Sequence, residues 1–153
     1  MAKSNGDGAA LIAAAERAAQ KSIKGKKGKR LAGAVSDYLQ HVPYHDLSGM
    51  DGTEIAGLIA AHLATGDVRK PGTAKIRVYT PQKKRDGWST EHSVIEIVTD
   101  DMPFLVDSVS AELTRRELPI HLVIHPILKV RRDKAGKVID ILERGHVDID
   151  ARS

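Results

Sequence analysis

The thirteen residues from Ile97 to Val109, IVTDDMPFLVDSV, constrain this chain more than any other stretch. An apolar run, Ile97-Val98-Thr99, meets two adjacent acids, a proline and then helix-forming residues, which is how a strand-to-helix ligand-sensing turn is written. At such a turn Asp100 or Asp101 caps the helix, and Pro103 falls in the first turn, where its missing N–H costs nothing. Many α/β domains contain a turn of this kind, so it fixes a local geometry rather than a function.

The elements around the turn follow from periodicity. Residues 1–8 are polar and glycine-containing and are expected to be disordered; 9–23 read as an alanine-rich helix with a thin apolar stripe, one that forms only when docked. Lys21, Lys24, Lys26, Lys27, Lys29 and Arg30 crowd into ten residues with Gly25 and Gly28 between them, the pattern of a solvated, mobile connector. A short helix is expected over Leu31 to Gln40, ended before Pro43, which pushes Val42 out of helical geometry. Asp51 and Glu54 have capping-box spacing ahead of Ile55, Leu58, Ile59 and Leu63, and Gly66 is the natural stop of that helix. Lys75 to Thr80 alternates Ile76 and Val78 with Arg77 and Tyr79, the period of a strand with one wet face, and Pro81 ends it. Asp86-Gly87 marks a turn before Ser93 to Thr99, whose apolar residues on both faces predict a central strand.

A helix from about Met102 to Glu117 carries the stripe Leu105, Val109 and Leu113, and Pro119 closes it. Ile120 to Arg131 reads as a long strand, Asp133 to Gly136 as a turn, and Lys137 to Glu143 as a strand running on through Val147 and Ile149. The fold class expected is α+β in αββαββ order: one antiparallel four-stranded sheet with helices on one face, equivalent to a circularly permuted ferredoxin-like sandwich. Residues 1–30 form a flexible extension in this reading, and 31–153 the domain.

Composition narrows the chemistry. A chain of 153 residues is long enough for one core, and the absence of cysteine excludes disulfides, thiolate nucleophiles and Cys-ligated metals, which fits a reducing cytoplasm. No apolar run approaches a membrane span, and Ala9 to Ala15 lacks the cationic lead of a signal peptide, so a soluble cytoplasmic protein is expected. His121 and His125 share a strand face about 13 Å apart, too far for one metal ion. His41 and His45 straddle Pro43 without a third ligand, and His62, His92 and His146 form no set. Asp100 and Asp101 invite an acid/base role, but no nucleophile, base partner or phosphate loop accompanies them, and capping explains them. Gly6-Asp7-Gly8 lacks the preceding strand and the third glycine of a dinucleotide loop. Gly25-Lys26-Lys27-Gly28 looks like the GXXG loop of a KH nucleic-acid module, but residues 1–8 cannot supply the strand a type I module needs.

The wording of several segments carries a family resemblance. Asp86-Gly87-Trp88, the run Ser93 to Val109, His121-Leu122-Val123-Ile124-His125-Pro126 and Val130-Arg131-Arg132-Asp133 closely resemble the N-terminal region of the large bacterial NAD-specific glutamate dehydrogenases. Tyr38 to Leu47 looks like a degenerate form of that family's tyrosine-rich segment, and Arg69, Gly72 and Pro81 fit, so the likeness spans roughly residues 38–133. Members are very large chains with ACT-like regulatory modules at the N-terminus and the catalytic domain far downstream. The resemblance therefore implies that this chain, which stops at Ser153 with no tidy ending, is a fragment of a parent enzyme. It implies no catalytic residue, cofactor or metal in this segment; NAD would bind the parent elsewhere, and the parent would oxidise L-glutamate to 2-oxoglutarate and ammonia.

ACT modules typically carry Asp-x-Pro-Gly-Leu between first strand and first helix, and Asp101-Met102-Pro103-Phe104-Leu105 matches it except for Phe104. Glycine there lets an amino acid approach the helix N-terminus, so the phenylalanine argues for packing between modules or subunits instead. The resemblance implies a regulatory or oligomerisation module, inert alone, with Asp100, Asp101, Phe104 and Asp107 as the candidate effector or interface turn. Its expected partners are other modules or subunits of a homo-oligomeric parent and an amino-acid effector, with no membrane. The alternatives are a stand-alone amino-acid-sensing ACT-like module and, behind it, a nucleic-acid-binding module using Lys21 to Arg30.

Overall fold

Small side chains decide how the first third of the chain packs. The computed structural model describes residues 3–47 and 49–142, with backbone alone for 3–5. Helices α1 (Lys3–Ser22), α2 (Lys26–Leu39) and α3 (Gly52–Thr65) pack on one another, with a 3-10 turn at Tyr44–Leu47. Ala15 and Ala19 of α1 are fully buried, and a Cβ on Gly52 would lie 2.6 Å from the Ala14 carbonyl carbon, so α1 and α3 meet almost backbone to backbone. The core beneath is built from Val35, Ile55 and Ile59, the largest fully buried side chains, each contributing about 1.5–3 kcal/mol by leaving water. The capping box is present: Asp51 accepts from the Glu54 N–H at 2.8 Å, and Glu54 accepts from the Asp51 N–H at 3.2 Å.

The N-terminal region departs from expectation. Residues 3–8 are helical rather than disordered, and Lys26, Lys27, Lys29 and Arg30 belong to α2, so the basic run is no mobile connector. Its glycines form a corner: Gly25 sits at φ 82°, and a Cβ on Gly28 would lie 1.7 Å from the Ile23 carbonyl oxygen. The boundary drawn between residues 30 and 31 accordingly falls inside a helix.

Among the described residues the strands form two antiparallel hairpins, and the expected single four-stranded sheet is not seen. β1 (Lys75–Tyr79) pairs with β2 (Val94–Val98), with Arg77 opposite Glu96 and Val78 opposite Ile95. The one-turn helix α4 (Lys83–Asp86) joins them and ends at Gly87 with φ 79°. β3 (Val130–Arg132) pairs with β4 (Val138–Ile141) through a bulge between Arg131 and Arg132. β2 has only β1 as a neighbour among the described residues, so it is not central. The long strand expected from Ile120 shrinks to β3. Residues 120–129 keep a strand's alternation, with Leu122, Ile124 and Leu128 against the helical core, but among the described residues no backbone hydrogen bond ties 119–128 to another segment. Pro119 and Pro126 bring no N–H to a ladder, which weakens pairing at both positions.

The wet face of β1 is the apolar one. Ile76 and Val78 are 64% and 65% exposed, while Arg77, Tyr79 and Glu96 turn toward α3. Helix α5 (Leu105–Arg115) is shorter than expected and has no buried residue; Leu105, Val109 and Leu113 are half-buried. The expected continuation of the last strand through Glu143, Val147 and Ile149, and His146 with it, lies outside the described residues.

Candidate functional site

The strand-to-helix turn is organised by an arginine rather than by the helix it precedes. Asp100 caps nothing: its Oδ1 accepts from Arg69 Nη2 at 2.7 Å and its Oδ2 from the Gly72 N–H at 2.9 Å. The Arg69 side chain is only 8% exposed, so its charge requires a carboxylate, and Asp100 is drawn away from the cap by that need. The Arg69 bond first, and the Gly72 N–H second, hold the Asp100 carboxyl below the usual carboxylate range. Arg69 Nη1 also donates to the Thr73 carbonyl at 2.8 Å. The position preceding α5 falls to Phe104, which supplies no side-chain cap and adopts φ 61°. This is the left-handed conformation that glycine takes freely in the Asp-x-Pro-Gly-Leu pattern. The Phe104 ring is 75% exposed and fills no core. Asp101 and Asp107 are exposed as well.

A cavity of about 470 Å³ opens between α2, α3, the end of β2 and the segment 124–130. Asp100 and Asp101 line it with Arg69 and Arg132; Phe104 and Asp107 do not, so the four turn residues are split between the cavity and the outer surface. Arg132 Nη1 donates to the carbonyls of Gly136 at 2.8 Å and Asp67 at 3.2 Å. Its Nε is buried with no partner, as is that of Arg69. No carboxylate pairs with Arg132 among the described residues, and burial, then the neighbouring Arg69 charge, pull its pKa down. The close fit beneath it depends on Gly136, at φ 84°, where a Cβ would lie 2.5 Å from the Arg69 carbonyl oxygen. Lys27 and Arg30 reach the same cavity from α2, and Arg30 donates to the Ile139 carbonyl.

A second polar cluster lies under β1 and β2. Glu96, buried, accepts from the Thr65 hydroxyl at 2.5 Å and from the Tyr79 hydroxyl; burial, then the carboxylate, pushes Tyr79 up to about 12. Arg77 stacks 3.6 Å over the Tyr79 ring and donates to Asp86 at 2.8 Å. His62 bridges α2 and β2: Nε2 lies 3.2 Å from the Ile97 carbonyl, which can only accept, and in the neutral ring Nδ1 then accepts from the Tyr38 hydroxyl at 2.5 Å. Each member of this cluster has a structural partner.

The histidines split up. His121 stacks on His92 with centroids 4.1 Å apart, His125 lines the cavity, and His45 lies 3.0 Å from Asp46. Among the described residues no group of three or more ligating side chains could hold a metal ion, and no helix is long and apolar enough to cross a membrane.

Sequence reasoning missed Arg132 as a cavity cation, because the bulge before it breaks the alternation that would have assigned it a face. It missed Glu96 as a buried carboxylate, although a lone acid inside Val94-Ile95-Glu96-Ile97-Val98 is the signal of one.

The glutamate dehydrogenase ACT1 domain family matches residues 34–152. The NAD-specific glutamate dehydrogenase of Pseudomonas aeruginosa is 42% identical over 71 residues, 46% of this chain and 4% of that protein. The NAD-specific glutamate dehydrogenase of Halomonas elongata is 43% identical over 63 residues, 41% of this chain and 4% of that protein. The matched stretch is thus a small part of each curated relative, and no solved structure matches. With the family matched across more than three-quarters of its length, this chain belongs to the glutamate dehydrogenase ACT1 domain family.

Proposed function

We propose that this chain works as a regulatory or oligomerisation module at the N-terminal end of a large NAD-dependent glutamate dehydrogenase. In this reading the module is inert alone, and the parent oxidises L-glutamate with NAD and water to 2-oxoglutarate, ammonia and NADH, with NAD bound outside this segment. The observation that carries the proposal is the family match combined with relatives named as that enzyme, of which the matched stretch is only 4%. The geometry adds apolar surface without cover among the described residues: Ile76, Val78 and Ile95 on the outer face of the first hairpin, and Phe104 beside α5. Surfaces of this kind suit contacts with other modules or with equivalent modules of a homo-oligomer. Asp100, Asp101, Phe104 and Asp107 form the turn where an amino-acid effector or a neighbouring module acts, by favouring one packing arrangement over another.

Removing the module from the parent enzyme is expected to leave turnover per active site in place while changing the assembly state or the response to amino acids, read by light scattering and steady-state kinetics. Glutamate-dependent NADH production by the purified chain would overturn the reading. Nucleic-acid binding is the weaker alternative, because Lys27 and Arg30 face the cavity and Arg30 is engaged with β4. Electrophoretic shift with short RNA and DNA at low salt checks it.

A further inference from the structure

Among the described residues Arg132, at the cavity that opens at the end of β2, has no carboxylate within ion-pair distance. Arg69 is matched by Asp100, but Arg132 has only backbone carbonyls on Nη1 and no acceptor on Nη2 among the described residues. Burial and the neighbouring Arg69 guanidinium act against the half-buried Arg132 charge, Asp67 and Asp100 favour it only from beyond ion-pair distance, and an anion bonded directly to Arg132 would complete the balance. Apolar side chains form one wall of the cavity: Leu31 and Leu63 from the helices, Ile97 from β2, Ile124 and Leu128 from the extended segment. At about 470 Å³ the space falls within the range of small-molecule sites.

We propose that this cavity binds a small aliphatic carboxylate, its carboxylate held by Arg132 and its hydrocarbon body lying against Leu31, Leu63, Ile124 and Leu128. The planar guanidinium presents paired donors that match two carboxylate oxygens, and Lys27 adds positive charge from α2. The Arg69 guanidinium, bonded to Asp100, offsets that carboxylate's repulsion of an anion, and Lys27, Arg30, Arg69 and Arg132 outnumber Asp67, Asp100 and Asp101 around the cavity. Asp101, exposed at the same cavity, is where an α-ammonium group would sit, so a fatty acid and an apolar amino acid share the carboxylate chemistry and differ at Asp101. The proposal deepens the effector role given above, yet binding to the isolated chain is measured with no enzyme present. Its failure therefore removes this site and leaves the module's place in the parent untouched.

The test is calorimetric titration of the purified chain with hexanoate, norleucine, hexanol and hexylamine. Saturable binding of hexanoate or norleucine, at least about tenfold tighter than hexanol or hexylamine, is the expected result. Norleucine ahead of hexanoate assigns Asp101 to an ammonium group, and the reverse order assigns the site to a simple carboxylate. Arg132→Gln is expected to weaken binding by at least about tenfold, with Arg132→Lys in between. Because Arg132 also ties down two backbone carbonyls, Ile124→Phe provides an independent check: it narrows the apolar wall, leaves the guanidinium alone and shifts preference from octanoate toward butanoate. No saturation by either carboxylate, equal binding of hexanol, or an unchanged chain-length preference in Ile124→Phe would each overturn the proposal.

Discussion

Phe104 occupies a backbone conformation meant for glycine. At φ 61° a side chain other than glycine costs about 1–2 kcal/mol, and the 75% exposed ring recovers little of that by burial. Phe104→Gly removes the strain and gives back about 0.5–1 kcal/mol as unfolded-chain entropy, so the isolated chain should gain about 0.5 kcal/mol in chemical denaturation. A loss above about 1 kcal/mol would mean that the ring packs against the chain in solution. Asp100 sets a pH dependence at the same turn. Its folded pKa lies below the unfolded value because of Arg69 and Gly72, so its contribution is complete above the unfolded carboxylate range and disappears as pH falls through the folded pKa. Wild type should therefore lose more stability than Asp100→Asn when melting temperatures are followed from neutral pH to about pH 3. Parallel curves for the two would refute the link. The acid pair was legible in the sequence, and its partner was not, since Arg69 lies thirty-one residues away with only a general likeness to mark it.

At the scale of elements, legibility followed periodicity. α3 was readable end to end, because its capping box, its apolar spacing and Gly66 all state the same helix. α1 was readable as a helix from residue 9, but its role in the core was not: a thin apolar stripe looks weak until Ala15 and Ala19 are seen to let the neighbouring helices approach. Alanine contributes here through absence of bulk. Ala15→Leu, which adds volume at a fully buried contact, should cost about 1–3 kcal/mol, while the same change at exposed Ala10 should stay within about 0.5 kcal/mol. Urea denaturation of the two variants separates the cases, and equal effects would show that α1 does not dock. The basic corner misled for a related reason. Gly25 and Gly28 suggest looseness, but one takes a positive φ and the other a contact closed to any side chain, so both fix the corner.

At the scale of the whole molecule, the places of the strands among the described residues were legible and their assembly into sheets was not, because alternation states that a segment is extended without naming what it pairs with. The segment 120–129 makes the point: its alternating burial is that of a strand, yet 119–128 has no backbone hydrogen bond among the described residues. Hydrophobic contact of Leu122, Ile124 and Leu128 with the helical core holds it in place instead. Side-chain contact restrains a segment without sheltering its amides, whereas the amides of α3 open only when the helix or the molecule does. Hydrogen exchange on the isolated chain should accordingly separate the two. Amides of 120–128 should exchange at least about a hundredfold faster than those of Ile55 to Leu63, despite similar proximity to the core. Matching protection would mean that in solution the segment is laddered, either to the free side of β2 or to a second copy. Dilution distinguishes these outcomes, since pairing within one chain keeps its protection as concentration falls and pairing between copies loses it.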